Sequence, residues 1–193
     1  MSESWDDFAE EWDLNPEVIL YAENAFKSLI EEIDISFLNI LDFGCGTGIL
    51  TEKMSHSAGN VVAIDNSAKM IDVLSAKNIK NTTSLAIDIF TADLKSAAGF
   101  DRKFDLITAS SVFNFVDDYG TALTILKNHL APNGRLIQWD WYSNGTSTGF
   151  TPEMIEAAYA NAGFSVLKIK KAFELTGERG TMPVIMAIAS PQY

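Results

Sequence analysis

Residues 40–50 read Ile-Leu-Asp-Phe-Gly-Cys-Gly-Thr-Gly-Ile-Leu, and this stretch decides the fold class of the chain. A short apolar run leads into a loop in which every second residue is glycine, and a helical pattern begins directly after it. Residues 61–65, Val-Val-Ala-Ile-Asp, form a second apolar run that ends in the carboxylate of Asp65. A strand, a glycine loop, a helix and a strand ending in an acid make up a nucleoside-binding unit. Asp65 lies 21 residues after Gly44, close to the spacing of roughly 20 expected for an acid that accepts the ribose hydroxyls.

The charge around the glycine loop indicates which nucleoside would bind. Asp42 stands at the mouth of the loop, and residues 40–52 contain no Lys or Arg. A pyrophosphate at the start of the following helix would be repelled by this carboxylate, whereas an ammonium or sulfonium group would be attracted to it. S-adenosylmethionine carries both of these cations and no phosphate. The glycine spacing is G-x-G-x-G, which also differs from the G-x-G-x-x-G pattern of dinucleotide sites.

At these residues the chain resembles the class I S-adenosylmethionine-dependent methyltransferases, in particular their small-molecule, type 11/12-like members. The resemblance implies an α/β protein with a Rossmann-like three-layer αβα sandwich. Its seven-stranded sheet would be mostly parallel and would end in a C-terminal antiparallel hairpin. Residues 130–137, Leu-Ala-Pro-Asn-Gly-Arg-Leu-Ile, are similar to the family's connection between a helix and the fifth strand. The implied cofactor is S-adenosylmethionine, with S-adenosylhomocysteine as the product.

The resemblance also implies the cofactor-binding residues. The carboxylate of Asp42 is expected beside the ammonium group, that of Asp65 at the ribose hydroxyls and that of Asp88 at the adenine amino group. The glycines would let the backbone approach the methionine and ribose parts, because they carry no Cβ. The full expected set is Asp42, Gly44, Cys45, Gly46, Gly48, Asp65, Asn66, Met70, Asp88, Ile89, Ala109 and Ser110.

Composition restricts the classes of partner. The chain has 193 residues, of which 47% are hydrophobic and 21% charged, as is typical of one soluble globular domain. The net charge of −12 argues against a nucleic acid or an anionic membrane as partner. One cysteine and two histidines give no metal cluster. The first residues lack an apolar signal core, and no apolar run is long enough to span a bilayer, so we expect a cytoplasmic protein.

The resemblance implies an N-terminal helical lid over residues 1–36 and a cofactor-binding domain over residues 37–193, together forming one structural domain. Trp5, Phe8 and Trp12 share one face of a helix expected at residues 4–13. This segment would either cover the cofactor or pack as a terminal helix on the body. A second helix is expected over residues 15–33. Residues 132–134 are expected to end the helix that begins at residues 117–118, and residues 174–181 are expected to be a loop. The predicted strands are residues 40–43, 61–64, 82–87, 104–109, 135–141, 164–170 and 183–189.

The chemistry of methyl transfer does not require a catalytic side chain, because the protein mainly aligns the acceptor with an activated methyl group. The sequence leaves a catalytic base unknown, since His56 and His129 are expected at helix ends away from the cleft. Aromatic residues are the better candidates for shaping an acceptor pocket. The expected pocket residues are Trp12, Tyr21, Phe113, Phe115, Trp141 and Tyr142, with Phe150 as a further aromatic candidate.

The residues directly after the predicted fourth strand narrow the target of methylation. Residues 110–113 read Ser-Ser-Val-Phe, not the Asn/Asp-Pro-Pro-Tyr/Phe pattern of methylases that act on amino groups of bases or glutamine. We therefore predict a small-molecule acceptor, no nucleic acid or membrane partner, and a monomer or homodimer. Two alternatives stay open, a non-catalytic module that keeps the cofactor fold and, with less support, an NAD-dependent oxidoreductase.

Overall fold

A computed structural model describes residues 5–145, 148–177 and 180–192 of the chain. Seven strands form one sheet in the order β3-β2-β1-β4-β5-β7-β6. The first five strands run parallel, and β7 is antiparallel to both β5 and β6. The predicted Rossmann-like sandwich with a C-terminal antiparallel hairpin is confirmed. The strands are β1 (Asn39–Phe43), β2 (Asn60–Asp65), β3 (Thr82–Ala86), β4 (Phe104–Ser110), β5 (Leu130–Trp141), β6 (Phe164–Gly177) and β7 (Gly180–Pro191).

Six α-helices accompany the strands in the described part of the chain. The long helix α2 begins where Pro16 follows Asn15, whose side chain accepts the Glu17 N–H at 2.9 Å, as its cap chemistry predicts. The helices are α1 (Trp5–Phe8), α2 (Pro16–Glu32), α3 (Ile49–Ser55), α4 (Ala68–Ala76), α5 (Tyr119–Lys127) and α6 (Pro152–Asn161).

The central strands are buried on both faces, as expected of a parallel sheet between two helical layers. Ile40 belongs to a core cluster that includes Leu29 of α2 and Met54 of α3. Its neighbour Leu41 belongs to a second cluster that includes Leu126 of α5 and Ile155 of α6. Because successive side chains of a strand point to opposite faces, these two clusters are the two sides of the sandwich.

Three local predictions differ from the structure. The expected helix over residues 4–13 is a short α1 followed by a 3₁₀ turn at Trp12–Leu14, and residue 4 lies outside the described residues. Residues 132–134 do not end a helix. They lie inside β5, where the pairing with β4 shifts register between Phe104 and Leu106, the kind of irregularity that tolerates a strand proline.

The C-terminal hairpin is also longer than predicted. Residues 174–177 pair with residues 180–183, so most of the expected polar loop is strand. An antiparallel hairpin at the sheet edge needs only one buried face, so its strands can contain many polar residues. The polar residues at 174–181 therefore predicted a loop although the strands continue through most of them. The extension carries the end of the hairpin to the same edge of the sheet at which β1 and β4 end.

Candidate functional site

A cleft opens at the carboxyl ends of the parallel strands, where open α/β sheets bind ligands. Its walls come from the loops that follow β1, β2, β3 and β4, from the end of β5, from the N-terminal segment with the start of α2, and from the C-terminal hairpin. The described residues that line it include no Lys or Arg, whereas Glu17, Asp42, Asp65 and Asp88 are all among them. The cleft therefore favours neutral or positively charged groups.

The glycine loop after β1 has a backbone that glycine alone adopts easily. Gly44, Gly46 and Gly48 have φ angles of +68°, +54° and +80°, in the left-handed region that is costly for residues with a Cβ. A Cβ on Gly44 would lie 2.3 Å from a Val112 methyl carbon, so the loop also needs the space. The Gly44 and Cys45 N–H groups both donate to the Ile64 carbonyl, at 2.8 and 3.0 Å. These bonds fasten the loop to β2.

The Asp65 carboxylate ends β2 and faces the loop. It accepts the Gly46 N–H at 2.8 Å and the Ser67 N–H at 2.9 Å. Partial burial raises the pKa of this carboxyl, and the backbone bonds oppose that shift. Each oxygen is engaged by one N–H, and a carboxylate oxygen can accept more than one hydrogen bond. Asp65 is thus held in one orientation and can still accept a pair of hydroxyl groups.

Asp42 is almost completely buried at the base of the cleft. Its carboxylate accepts the Thr51 hydroxyl at 2.5 Å and the Thr108 hydroxyl at 2.8 Å. Burial raises its pKa to about 6 despite these two bonds. The group is therefore mostly ionised at neutral pH, and a cation in the cleft would favour its charged form further. Burial also raises the pKa of the Cys45 thiol, so this cysteine is not an activated nucleophile.

The cleft has two halves, and the glycine loop, Asp42 and Asp65 belong to the first, the cofactor half. The rest of its wall consists of four residues that were all predicted from sequence: Asn66, Met70, Asp88 and Ile89. Asp88 follows β3 and accepts the Phe90 N–H at 2.9 Å, which keeps its carboxylate in place. Sequence analysis missed the cleft residues Ile87 and Phe90. Both could have been inferred from their position next to Asp88 and Ile89 in the sequence.

Four residues predicted for the cofactor site or the acceptor pocket do not line the cleft. Gly48 caps α3, and a Cβ there would lie 2.3 Å from a Leu74 methyl carbon. Ala109 is fully buried in β4, whereas its neighbour Ser110 does reach the cleft. Phe113, proposed for the acceptor pocket, is buried against the rings of Phe43 and Tyr119, which lie 5.7 and 4.9 Å away. Phe150, the further aromatic candidate, is also buried, beside Tyr119 at 5.0 Å.

The other half of the cleft gathers the remaining aromatic candidates. The structure brings together Trp12, Tyr21, Phe115, Trp141 and Tyr142. It adds polar and apolar residues that sequence analysis did not single out for the pocket. These added residues include Glu17, Ser111 and Asn114, and the hairpin residues Leu175, Met182 and Pro183. No spacing in the sequence joins them, because they come from four separate segments.

The N-terminal segment lies over the glycine loop. The Trp5 ring packs edge-on against Trp12 at 5.7 Å and against Phe115 at 4.9 Å. The Thr47 hydroxyl, within the glycine loop, donates to the Asp13 carboxylate, which also forms an ion pair with Lys77 at 2.9 Å. The segment is therefore tied to the loop by polar bonds, and its Trp rings line the cleft.

The segment has a second polar tie, to the loop that follows β2. The Ser67 hydroxyl donates to the Asp6 carboxylate, and the Ser67 N–H donates to Asp65. Both loops that hold the glycines and Asp65 thus contact the same short N-terminal segment.

A buried polar network stands behind the aromatic half of the cleft. The Gln138 amide donates to the Asp140 carboxyl at 2.9 Å, and the Asn114 amide approaches that carboxyl at 3.4 Å. The hydroxyls of Tyr119 and Tyr159 donate to the Gln138 carbonyl oxygen, at 2.6 and 3.2 Å. Burial raises the pKa of Asp140 to about 8. The network fixes Asn114, the member that lines the cleft.

The histidines lie outside the cleft, as predicted. His129 packs against Phe100 at 5.1 Å, and burial lowers its pKa. His56 follows the end of α3. Within residues 5–145, 148–177 and 180–192, no group of three or more His, Cys, Asp or Glu side chains could hold a metal ion. None of the helices in these ranges is long and apolar enough to cross a membrane.

Comparison with known proteins places the chain in a family. A protein family described as "Methyltransferase domain" matches residues 41–138, just over half of the 193 residues. This chain belongs to that methyltransferase family. The match begins one residue before Asp42 and ends at Gln138, so it covers the glycine loop, Asp65, Asp88 and β4.

Individual relatives agree with the family assignment. An uncharacterised methyltransferase of Schizosaccharomyces pombe is 29% identical over 154 residues, which cover 67% of this chain and 54% of the relative. A ubiquinone biosynthesis O-methyltransferase of Bartonella tribocorum is 34% identical over 100 residues, covering 52% of this chain and 40% of the relative. The chain thus matches about half or less of the length of these curated relatives.

A solved structure supports the fold over nearly the whole chain. The N-methyltransferase NodS of Bradyrhizobium japonicum, solved with S-adenosyl-L-homocysteine, superimposes with a TM-score of 0.70. The superposition covers 99% of this chain and 100% of NodS at 19% identity. At this identity the likeness concerns the fold.

Proposed function

We propose that this chain is an S-adenosylmethionine-dependent methyltransferase that acts on a small-molecule acceptor. The observation that carries the proposal is the pairing of the glycine loop with two fixed carboxylates, Asp42 and Asp65, in a cleft whose described lining has no cation. This arrangement suits a ligand with an ammonium group and a ribose. It would repel the pyrophosphate of NAD, so the oxidoreductase alternative loses support.

The residues fit the cofactor in three places. Asp42, ionised at neutral pH, would attract the ammonium group of the methionine part, with Ser110 beside it. Asp65 would accept both ribose hydroxyls in the orientation fixed by the Gly46 and Ser67 N–H groups. Asn66, Met70, Asp88 and Ile89 would surround the adenine. The glycine backbone, Cys45 included, would lie against the methionine and ribose parts.

The bound cofactor would supply an activated methyl group, which an acceptor lone pair takes up while the sulfonium becomes a thioether. The chain's own residues would bind, orient and exclude water around this transfer. Trp141 and Tyr142 would form one side of the acceptor space, and Trp5, Trp12 and Phe115 the other. No described side chain needs to act as a base when the acceptor has lost its proton to solvent before it reacts.

We further propose that residues 5–14 serve as a lid over the cofactor, as the two polar ties to the glycine loop and to Ser67 suggest. Deleting residues 1–14 would test this idea, because a lid contributes to cofactor affinity and turnover. Unchanged cofactor affinity and turnover in the deletion variant would reduce the segment to a packed terminus.

A small-molecule acceptor is favoured over a nucleic acid by the net charge of −12 and by the acidic cleft. O-methylation would match the Bartonella tribocorum relative, and N-methylation would match NodS.

A monomer or homodimer and a cytoplasmic location stay predictions. Size-exclusion chromatography with light scattering would measure the oligomeric state.

The first experiment is calorimetric titration with S-adenosylhomocysteine, with NADH as the parallel ligand. We expect micromolar binding of the former and none of the latter. Tight binding of NADH would overturn the assignment.

The second experiment is transfer of a labelled methyl group from S-adenosylmethionine to fractions of small metabolites. Cofactor binding without transfer to any fraction would favour the non-catalytic module.

A further inference from the structure

The half of the cleft beyond the cofactor residues has a defined polar surface, which we call the acceptor wall. It consists of Tyr21 from α2, Ser111 and Asn114 from the loop after β4, and Trp141 and Tyr142 at the end of β5. Ser111 has a φ angle of +55°, an uncommon value for a residue with a Cβ. Strained backbone of this kind is concentrated at functional sites.

Tyr21 carries the one observation that points directly to a ligand. Its side chain is 7% exposed and lines the cleft. Its ring is held edge-on between Trp141 and Phe173, each 5.3 Å away. Its hydroxyl oxygen is buried and makes no hydrogen bond to any described residue. A buried hydroxyl without a partner is costly unless something supplies the missing bond.

The surroundings of this hydroxyl show that it stays neutral. Burial, and then the nearby Asp140 carboxyl, raise the pKa of Tyr21 well above its ordinary value. The Ser111 side chain acts on that pKa in the opposite direction, from a position outside hydrogen-bond geometry. The phenol therefore offers one donor and an oxygen with free lone pairs to whatever occupies the wall.

The charge at the wall selects among possible occupants. Glu17 lies at its rim and is exposed, and no described lining residue is a Lys or Arg. The Lys171 ammonium lies 4.2 Å from the centre of the Tyr142 ring and is already placed on that ring's face. A carboxylate or phosphate acceptor would enter without a countercharge from the lining. A cation would meet the Glu17 carboxylate and the aromatic residues of the wall other than Tyr142, whose face Lys171 already covers. These groups attract a cation.

We propose, on the basis of the function proposed above, that the acceptor wall takes the amino group of a small organic amine and that the Tyr21 hydroxyl is its hydrogen-bond partner. The amine would arrive as an ammonium ion and lose one proton to bulk water before it reacts. Its nitrogen lone pair would then form the new N–C bond while the C–S bond breaks and its electron pair stays on sulfur. The methylated amine leaves as a cation.

Three probes with the same phenyl ring and two-carbon arm test the charge preference. They are 2-phenylethylamine, 2-phenylethanol and 3-phenylpropanoate, each titrated calorimetrically into protein saturated with S-adenosylhomocysteine. We expect the amine to bind most tightly and the carboxylate most weakly. Equal or tighter binding of the alcohol or the carboxylate, or no binding of the amine, would overturn the inference. Failure of S-adenosylhomocysteine itself to bind is a separate result, which would remove the proposed function together with this inference.

Two substitutions test the residues. Tyr21→Phe keeps the ring and removes the hydroxyl, and it should weaken the amine by at least about tenfold, as expected for a hydrogen bond to a charged group. Its affinity for S-adenosylhomocysteine should be unchanged, which separates an acceptor role from a general loss of structure. Glu17→Gln should weaken the amine but not the alcohol, whereas Glu31→Gln, on the same helix and exposed outside the cleft, should change neither. Full amine affinity in Tyr21→Phe would assign the hydroxyl no role in binding.

Discussion

The two halves of the cleft are built in different ways. In the cofactor half, both principal carboxylates are held before any ligand arrives: Asp42 by two threonine hydroxyls and Asp65 by two backbone N–H groups. In the acceptor half, the Tyr21 hydroxyl is left without a partner. A group that is already satisfied contributes to stability and position at once, whereas an unsatisfied buried group lowers stability until a ligand pairs with it.

The halves also differ in how far apart their residues lie in sequence. The cofactor half is formed by residues 42–89 together with Ser110, most of it two consecutive strand–loop–helix units and the loop after β3. The acceptor half needs the N-terminal segment, α2, the β4–α5 loop, β5 and the C-terminal hairpin, from Trp12 to Pro183. A compact local unit fixes the recognition of one cofactor. Long-range packing shapes the part that must fit a particular acceptor.

The largest effect is expected where the cofactor half has no room to adapt. Gly44→Ala forces a left-handed backbone on alanine and drives its Cβ into Val112, so it should lower the free energy of unfolding by about 2–5 kcal/mol. Gly46→Ala is the matched control, since its Cβ has only the Trp12 indole nitrogen nearby, at 3.7 Å. It should cost about 1–2 kcal/mol. Denaturant titration of both variants measures the difference, and equal losses would mean that the loop is less tightly packed than the structure shows.

The next effect concerns ligand affinity in the same half. Asp65→Ala should weaken S-adenosylhomocysteine by about 1.5–3 kcal/mol, the range of hydrogen bonds to a charged group. Asp88→Ala should cost less, because this carboxylate is exposed and water competes for its hydrogen bonds, whereas Asp65 is half-buried. Calorimetry of the two variants tests the ranking. Full-strength binding in Asp65→Ala would refute the ribose assignment.

A smaller effect should appear as a dependence on pH. Burial raises the pKa of Asp42 to about 6, and a bound ammonium favours the ionised form. The affinity for S-adenosylhomocysteine should therefore be fully developed above about pH 7 and fall by up to about tenfold as the pH drops to 5. Asp42→Asn should flatten this profile. A profile identical to that of the unsubstituted protein would place the titrating group elsewhere.

The sharpest contrast between the halves is in stability, and it includes the smallest expected effect, that of Tyr21→Phe. Thr51→Val removes a bonded donor from the buried Asp42 carboxylate and should destabilise the protein by about 1–3 kcal/mol. Tyr21→Phe removes a hydroxyl that has no partner, so stability should stay unchanged or rise by up to about 1 kcal/mol. Thermal unfolding without ligand compares the two. A substantial loss in Tyr21→Phe would show that the hydroxyl is paired in solution, and the contrast would fail.

The cofactor half could be predicted because its signals are local. The positive φ angles of the loop require glycine, and the carboxylates of Asp42 and Asp65 stand at strand ends that a short apolar run reveals. Phe113 shows the limit of this reasoning. Its place after β4 suggested the cleft, yet it packs into the core, and its neighbours Asn114 and Phe115 line the cleft instead. Pattern alone does not show how a short 3₁₀ turn rotates its side chains.

The sequence by itself determined the class of fold, a mostly parallel sheet, and the glycine and carboxylate groups expected to hold the cofactor. Backbone conformation and strand periodicity are properties of a few neighbouring residues, so short stretches of sequence reveal them. Only the tertiary structure decided that Tyr21, Ser111, Asn114 and Trp141 form one wall and that the N-terminal tryptophans lie over the glycine loop. Those neighbours are set by the packing of elements that are far apart in the chain. The burial that raises the pKa of Asp42 and Asp140, and that leaves the Tyr21 hydroxyl unpaired, exists only after that packing is complete.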